Sequence, residues 1–221
     1  MQSSSESNLM DWIAHNKKMI LGGVSAIALV ALAIGILQNQ MEKKILAAST
    51  AFHEAQQKLE KELKVAGTTP ISDVDRQLSE TVGALRKLSV DFKGMQAAWE
   101  AQFQLGDLYS KYESRSGKAI PAFEAAVGSA PSPREKIFAW YSLAYAYEQQ
   151  GKFEEAIQQL DSAIKLEQPY FKAELSLSRA RLLARSGKVA EADQAFEQVS
   201  KDFANTDLGR KADQWKVMRS L

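Results

Sequence analysis

An uncharged apolar run near the N-terminus constrains this chain more than any other feature. It extends over Met19–Leu37, and no charged residue occurs between Lys18 and Glu42. As a helix rising about 1.5 Å per residue, the run is about 28 Å long, close to the ~30 Å hydrocarbon core of a bilayer. A cleaved signal peptide has a shorter apolar core, about 7–15 residues, followed by small residues, whereas this run continues into Gln38–Met41. We therefore predict an uncleaved membrane anchor over residues 19–41.

Positive charges on the two sides of this anchor are balanced. Lys17 and Lys18 precede it, and Lys43 and Lys44 follow it. The positive-inside rule compares these flanks and therefore gives little guidance on orientation. We favour a single pass with a cytoplasmic N-terminus, in which residues 1–18 form a short tail.

Small side chains share one face of the predicted anchor. Ala28, Ala31 and Gly35 are spaced three and four residues apart, which would let a second membrane helix approach closely. Gly22 and Ala26 place small residues on the opposite face as well. The pattern thus fits either a packing face for a partner helix or the ordinary composition of a membrane helix.

Composition argues against several classes of function. The 28 Lys and Arg residues nearly balance 27 Asp and Glu residues, so the basic excess typical of nucleic-acid-binding domains is absent. The chain has no Cys and only His15 and His53, and it contains none of the common nucleotide-binding, metalloprotease or serine-hydrolase motifs. We predict no catalytic residues, no metal site and no cofactor, and therefore a protein that is not an enzyme.

A polar but periodic stretch over residues 42–70 follows the anchor and is predicted to be a helical spacer. Its apolar positions form a short heptad pattern at Ile45, Ala48, Phe52, Ala55 and Leu59. The pattern covers fewer heptads than a coiled coil needs. We favour a helix that packs on the following domain, and a homodimer formed through residues 45–59 is the alternative.

The remainder, residues 71–221, reads as amphipathic helices separated by short breaks that contain Gly or Pro. The predicted helices are Asp73–Phe92, Gln96–Lys111, Lys118–Val127, Arg134–Gln150, Phe153–Leu166, Phe171–Ser186, Val189–Phe203 and Leu208–Ser220. Short connections favour antiparallel neighbours. The predicted fold class is all-α, and the last helix is expected to cap the domain.

These helix pairs repeat one another. The clearest unit carries Trp140, Leu143, Ala144, Tyr147, Gly151, Phe153, Ala156, Leu160 and Ala163. It resembles the tetratricopeptide repeat, in which large residues bury one side of the first helix and small ones lie at the helix crossing. Related frames occur at Leu105–Tyr109 and Ala180–Gly187. The resemblance implies an α-solenoid of about three repeats with flanking half-units.

In such arrays the first helices of the pairs line a concave surface. The resemblance places ten residues there as candidate partner-binding positions: Phe103, Asp107, Lys111, Phe138, Tyr141, Tyr145, Glu148, Leu177, Arg181 and Arg185. Aromatic residues not needed for a core are candidates for protein contacts, although the N-terminal helices could instead fold over them. Arg181 and Arg185 form a basic pair that could hold a carboxylate or simply face solvent.

The layout of anchor, spacer and repeats resembles a bacterial envelope family, the YfgM-like ancillary subunits of the SecYEG translocon. The sequence carries this resemblance in Leu105–Tyr109, Trp140–Tyr147 and Gly151–Ala163, and in the closures Asp91-Phe92 and Asp202-Phe203. It implies an inner-membrane protein whose repeat domain lies in the periplasm and contacts SecYEG and a membrane-anchored periplasmic chaperone. The alternative is a scaffold of another envelope complex, in division, secretion or motility.

Overall fold

The computed structural model describes residues 3–114, 117–166 and 169–220, and every regular element there is a helix. The elements are α1 (Ser3–Ala66), α2 (Val74–Gln77), α3 (Ser79–Asp91), α4 (Gln96–Tyr112), α5 (Ala119–Ser129), α6 (Pro133–Gln149), α7 (Phe153–Leu166), α8 (Pro169–Arg185), α9 (Val189–Asp202) and α10 (Asp207–Ser220). The chain divides into two compact units, one up to Ala47 and one from Ala48 onward. Helix α1 contributes to both units.

The first unit is the N-terminal part of α1, which contains residues 3–18 of the predicted tail and the anchor without a break. The helix continues because the first proline of the chain is Pro70, and it ends where Gly67 adopts a positive φ of 56°. Its most apolar window has a mean hydropathy of 2.6 and no buried residues. This helix is therefore long and apolar enough to cross a membrane.

The predicted packing face of the anchor lies on this exposed stretch. Ala28, Ala31 and Gly35 are all exposed, and a Cβ built on Gly35 would meet nothing within 4 Å. The face is thus open to a partner, and its use in helix packing stays a prediction.

The end of α1 belongs to the second unit and packs on the repeats. Ala48 and Ala55 are buried, and Phe52 and Leu59 are half-buried against the same core. The heptad face is therefore occupied by the chain's own domain, as the favoured interpretation of the spacer expected. A homodimer through residues 45–59 stays a prediction, because Ile45 is exposed whereas Ala48 and Ala55 are buried against the chain's own core.

Two polar contacts fix this part of α1. The side-chain amides of Gln56 and Gln104 are joined by reciprocal hydrogen bonds of 2.6 and 3.2 Å. The Glu62 carboxylate accepts hydrogen bonds from the backbone N–H groups of Glu80 and Thr81 at 2.8 and 3.1 Å. These N–H groups lie in the first turn of α3, where they have no partner within the helix. Glu62 thus caps α3 from outside it.

The cap explains why the predicted helix Asp73–Phe92 is observed as two helices. Asp73 caps α2 by accepting a hydrogen bond of 3.2 Å from the backbone N–H of Arg76. The chain then leaves helical geometry at Leu78, whose φ is −122° and ψ is 39°, and α3 begins at Ser79. Leu78 is fully buried, so the break directs its side chain into the core while Glu62 satisfies the new helix end.

The repeat pairs α4/α5, α6/α7 and α8/α9 follow, and α10 packs against α9. Small residues occupy the crossing of each pair. These are Gly106, Ala144 and Ala180, all buried. A Cβ built on Gly106 would lie 2.5 Å from Cε1 of Phe123, so the crossing of α4 and α5 depends on glycine. Leu160 and Phe196 occupy the positions of Phe123 in the next two repeats and belong to the same core as Ala144 and Ala180.

The turns within the second and third repeats have the same geometry. Gly151 and Gly187 adopt positive φ angles of 72° and 83°. In the second repeat the backbone N–H of Lys152 donates to the carbonyl of Tyr147 at 3.0 Å, and that of Gly151 donates to Glu148 at 3.0 Å. This is a Schellman arrangement, in which a left-handed glycine satisfies the last carbonyls of the helix. Gly151 and Gly187 thus end the first helices of their repeats in the left-handed conformation.

Candidate protein-binding surface

Two adjacent recesses lie along the first helices of the repeats. The first recess, of about 400 Å³, is lined by Asp107, Ser110, Lys111, Phe123, Tyr141, Ser142 and Tyr145. The second recess, of about 140 Å³, is lined by Tyr141, Ala144, Tyr145, Glu148, Leu160, Ser178, Arg181 and Leu182. Tyr141 and Tyr145 line both recesses, so we call the combined surface the tyrosine groove.

The structure brings six of the ten predicted positions into this groove. They are Asp107, Lys111, Tyr141, Tyr145, Glu148 and Arg181. Tyr145 is 50 % exposed, and Tyr141 is half-buried against the core of the later repeats. The N-terminal helices therefore do not cover Tyr145, which projects from the groove as an aromatic ring with a polar tip. Such residues contribute strongly to protein interfaces.

Three predicted positions lie outside both recesses and pack against neighbouring side chains. Leu177 is only 5 % exposed and belongs to the core of the later repeats. Phe103 stacks on Trp99, with ring centroids 5.1 Å apart. Phe138 makes an edge contact with Phe171 at a centroid distance of 5.1 Å. These side chains stabilise neighbouring helices and do not line either recess.

The two arginines of α8 have different partners within the chain. Arg185 forms an ion pair with Glu148 of α6, and its guanidinium also lies 5.2 Å from the ring centroid of Phe153. The guanidinium of Arg181 lies 5.4 Å from the ring centroid of Trp215 in α10. The carboxylate that we expected this basic pair to hold is thus supplied to Arg185 by Glu148. Arg181 alone lines the groove.

Asp107 is the unusual charged group of the groove. It has no ion-pair partner among the described residues. Desolvation by the surrounding residues raises the pKa of its carboxyl to about 6, although the residue as a whole is exposed to solvent. Lys111 follows one turn later, but its ammonium lies 4.9 Å from the ring centroid of Tyr112. The carboxylate therefore forms no ion pair within the described residues, although Lys111 lines the same recess.

Three serines that line the recesses were not among the predicted positions. Ser110 and Ser142 line the first recess, and Ser178 lines the second. The hydroxyl of Ser110 is buried and has no hydrogen-bond partner within the described part of the chain. Helical spacing is the signal that could have found all three of them. Each lies three residues from a predicted groove position, since Ser110 follows Asp107, Ser142 precedes Tyr145 and Ser178 precedes Arg181.

A separate acidic cluster lies at the junction of α2, α4 and α5. The carboxylates of Asp73, Asp75 and Glu113 approach within 4.8 Å of one another, a grouping that could hold a metal ion. Protein donors already engage it, because Asp75 accepts hydrogen bonds from Arg86 at 2.7 Å, Tyr109 at 2.8 Å and Lys118 at 3.0 Å.

Neighbouring positive charges and hydrogen bonds keep the Asp75 carboxylate of this cluster ionised. Burial opposes ionisation of Asp75, but the hydrogen bonds from Lys118 and Tyr109 and the charge of Arg86 outweigh it and hold the pKa below its usual value. Lys118 also pairs with Glu113 at 2.9 Å. The arrangement is therefore an internal ionic network that joins the leading helices to the first repeat.

Stacked antiparallel helix pairs with a groove along their first helices define an α-solenoid repeat protein of the kind that binds other proteins. The chain belongs to the family of the tetratricopeptide repeat-like domain, whose family model matches residues 10–218. This confirms the repeat architecture that the sequence predicted.

Solved structures agree with this assignment. The chain is similar to the nearly identical TPR-like repeats of a kinesin-light-chain-type protein from Podosopora anserina, with 17 % identity and a TM-score of 0.53, over 74 % of this chain and 81 % of that one. A variant of the same repeats gives 17 % identity and a TM-score of 0.54, over 78 % and 87 % of the two chains. At this identity the likeness concerns the fold alone. A search of curated proteins finds no match.

Proposed function

We propose that this protein is a membrane-anchored interaction module whose tyrosine groove binds a segment of a partner protein. The observation that carries the proposal is the pair Tyr141 and Tyr145, which lies between two recesses on the first helices of the repeats. Tyr145 is half exposed although the surrounding residues pack closely. A protein-binding surface accounts for an exposed aromatic ring in a recessed position.

The layout supports a more specific setting. An exposed apolar helix precedes a repeat domain of the tetratricopeptide type, which is the arrangement of the YfgM-like envelope proteins described above. We place the protein in the bacterial inner membrane, with the repeats in the periplasm, beside SecYEG and a membrane-anchored chaperone. This setting depends on the resemblance and requires its own test.

Site-specific photo-crosslinking in native membranes tests the groove directly. A benzoylphenylalanine replaces Tyr145 in the full chain, and the matched control carries it at Gln158, an exposed position of α7. We expect protein adducts from position 145 that are absent from position 158. Adducts that are equally abundant at both positions, or absent from both, would contradict the proposal.

The identity of the adducts tests the setting. Mass spectrometry that identifies translocon subunits or a periplasmic chaperone supports the export assignment. Adducts formed with components of a division, secretion or motility complex would favour the scaffold alternative instead.

The aromatic pair can also be tested by substitution. We expect Tyr141→Asp with Tyr145→Asp to abolish partner capture, since the charges remove the apolar surface between the recesses. Gln158→Asp is the control for an added charge on the opposite helices. The helical circular dichroism signal should stay unchanged, and retained capture by the double variant would sink the assignment of the groove.

A further inference from the structure

The charges of the tyrosine groove point to the chemistry of what it binds. Glu148 is neutralised by Arg185, and the cation of Arg181 lies against the Trp215 ring. Asp107 differs, because no described residue forms an ion pair with it. The one carboxylate of the groove that lacks a counter-charge is therefore in the first recess.

Lys111 is the neighbour best placed to neutralise Asp107. An acidic residue four positions before a lysine on a helix can form an ion pair with it. The Lys111 ammonium instead lies near the Tyr112 ring, which leaves the carboxylate of Asp107 directed to the recess. A charged group in a partly desolvated site gains most from a partner that brings the opposite charge.

The walls of the first recess suit a basic side chain. Tyr141 and Tyr145 supply aromatic surface, which attracts ammonium and guanidinium groups and also packs against their aliphatic stems. Ser110 and Ser142 supply hydroxyl groups, and the Ser110 hydroxyl is buried with no partner in the described structure. A volume of about 400 Å³ is small among ligand sites, which span roughly 300–1,000 Å³, and it accommodates a side chain rather than a folded element.

Resting on the function proposed above, we propose that the first recess binds a lysine or arginine side chain of an extended partner segment, with Asp107 as its counter-ion. The raised pKa of Asp107 agrees with this assignment, because a cation would favour the ionised form that desolvation of the carboxyl disfavours.

A matched peptide array tests the proposal with the full chain in detergent micelles. Each random heptapeptide is acetylated and amidated, which removes terminal charges, and is made in four forms that differ only in the central residue. The central residue is lysine, arginine, norleucine or glutamate. We expect the lysine and arginine forms to bind about tenfold more tightly than the norleucine form.

Two variants assign the preference to the recess. Asp107→Asn should reduce the preference for a basic residue to about twofold or less, because it removes the charge and keeps the shape. Asp213→Asn is the matched control on exposed α10 and should leave the preference intact. Thermal unfolding of both variants verifies that they are folded.

The outcomes separate this proposal from the function on which it rests. Equal binding of the lysine and norleucine forms, a preference for glutamate, or an Asp107→Asn variant that keeps the basic preference would each overturn the proposal while leaving a protein-binding groove. Absence of peptide binding together with retained crosslinking at position 145 would also overturn it. Absence of both would overturn the proposed function as well.

Discussion

Replacing Gly106 by alanine tests the close contact between α4 and α5. A Cβ at this position would lie 2.5, 2.6 and 2.8 Å from three carbons of the Phe123 ring. Ordinary carbon contacts begin at about 3.5 Å, so the overlap is roughly 1 Å. Phe123 cannot easily move, because it is only 1 % exposed and contacts the Phe103 ring at a centroid distance of 5.5 Å.

Two effects of opposite sign determine how much Gly106→Ala changes the free energy of unfolding. Gly106 is in the interior of α4, where alanine is favoured over glycine by about 1 kcal/mol. Overpacking of a core costs about 1–3 kcal/mol, and three close atoms of one buried ring place this site toward the upper end. We expect a net loss of about 1–2 kcal/mol, which lowers the melting temperature by roughly 2–8 °C for a chain of this size.

Circular dichroism during thermal and urea unfolding in detergent micelles measures this loss. Gly83→Ala is the matched control, because Gly83 is inside α3 and a Cβ there meets nothing within 4 Å. It should stabilise the protein by about 0.5–1 kcal/mol. Phe123→Leu in the Gly106→Ala background recreates the pair Ala144 and Leu160 of the next repeat and should recover part of the loss. Stabilisation by Gly106→Ala equal to that by Gly83→Ala would refute the reasoning.

Three further perturbations follow from the contacts. The pKa of Asp107 is raised to about 6, so the folded state retains a proton that the unfolded chain loses near pH 4. The free energy of unfolding should therefore fall as pH rises from about 4 to about 6. Carboxyl NMR titration measures this pKa directly, and a value near 4 would contradict the prediction. Lys111 is the other charged group that lines the recess, and Lys111→Met should strengthen binding of lysine-centred peptides about twofold by removing a like charge, whereas weaker binding would argue against the assigned polarity. Glu62→Ala should lower the free energy of unfolding by about 1 kcal/mol, because it removes the cap of α3. Glu54→Ala, at an exposed position of α1, is the control in urea unfolding, and equal effects of the two substitutions would exclude a capping role.

Most helix boundaries could be predicted because their signals are local. Gly151 and Gly187, each with a positive φ, form the turns between the paired helices of the second and third repeats. The helix Phe153–Leu166 has the predicted bounds. The break at Leu78 could not be found in the same way. Its cap is Glu62, which precedes Glu80 by 18 residues, so the cause of the break lies in tertiary structure.

The groove shows the same division between local and tertiary causes. Helical spacing places Tyr141 and Tyr145 on one face, and the structure brings them to one surface. Phe138 instead contacts Phe171 of another helix, and no local sequence pattern identifies that contact. Leu177 is apolar and lies four residues before Arg181, so its position on the helix is compatible with either a groove or a core. Its packing in the core of the later repeats shows that it is a core residue.

The partner's charge illustrates how tertiary contacts can reverse an interpretation from sequence. Two arginines in one helix face suggested an acidic partner, because neighbouring positive charges favour a carboxylate. In the folded chain Glu148 supplies that carboxylate to Arg185, and the ring of Trp215 takes the cation of Arg181. The carboxylate of the groove that remains without an ion pair within the described chain is that of Asp107. It is the basis on which we propose that the first recess binds a basic side chain, and the Lys111 ammonium that lines the same recess opposes that binding.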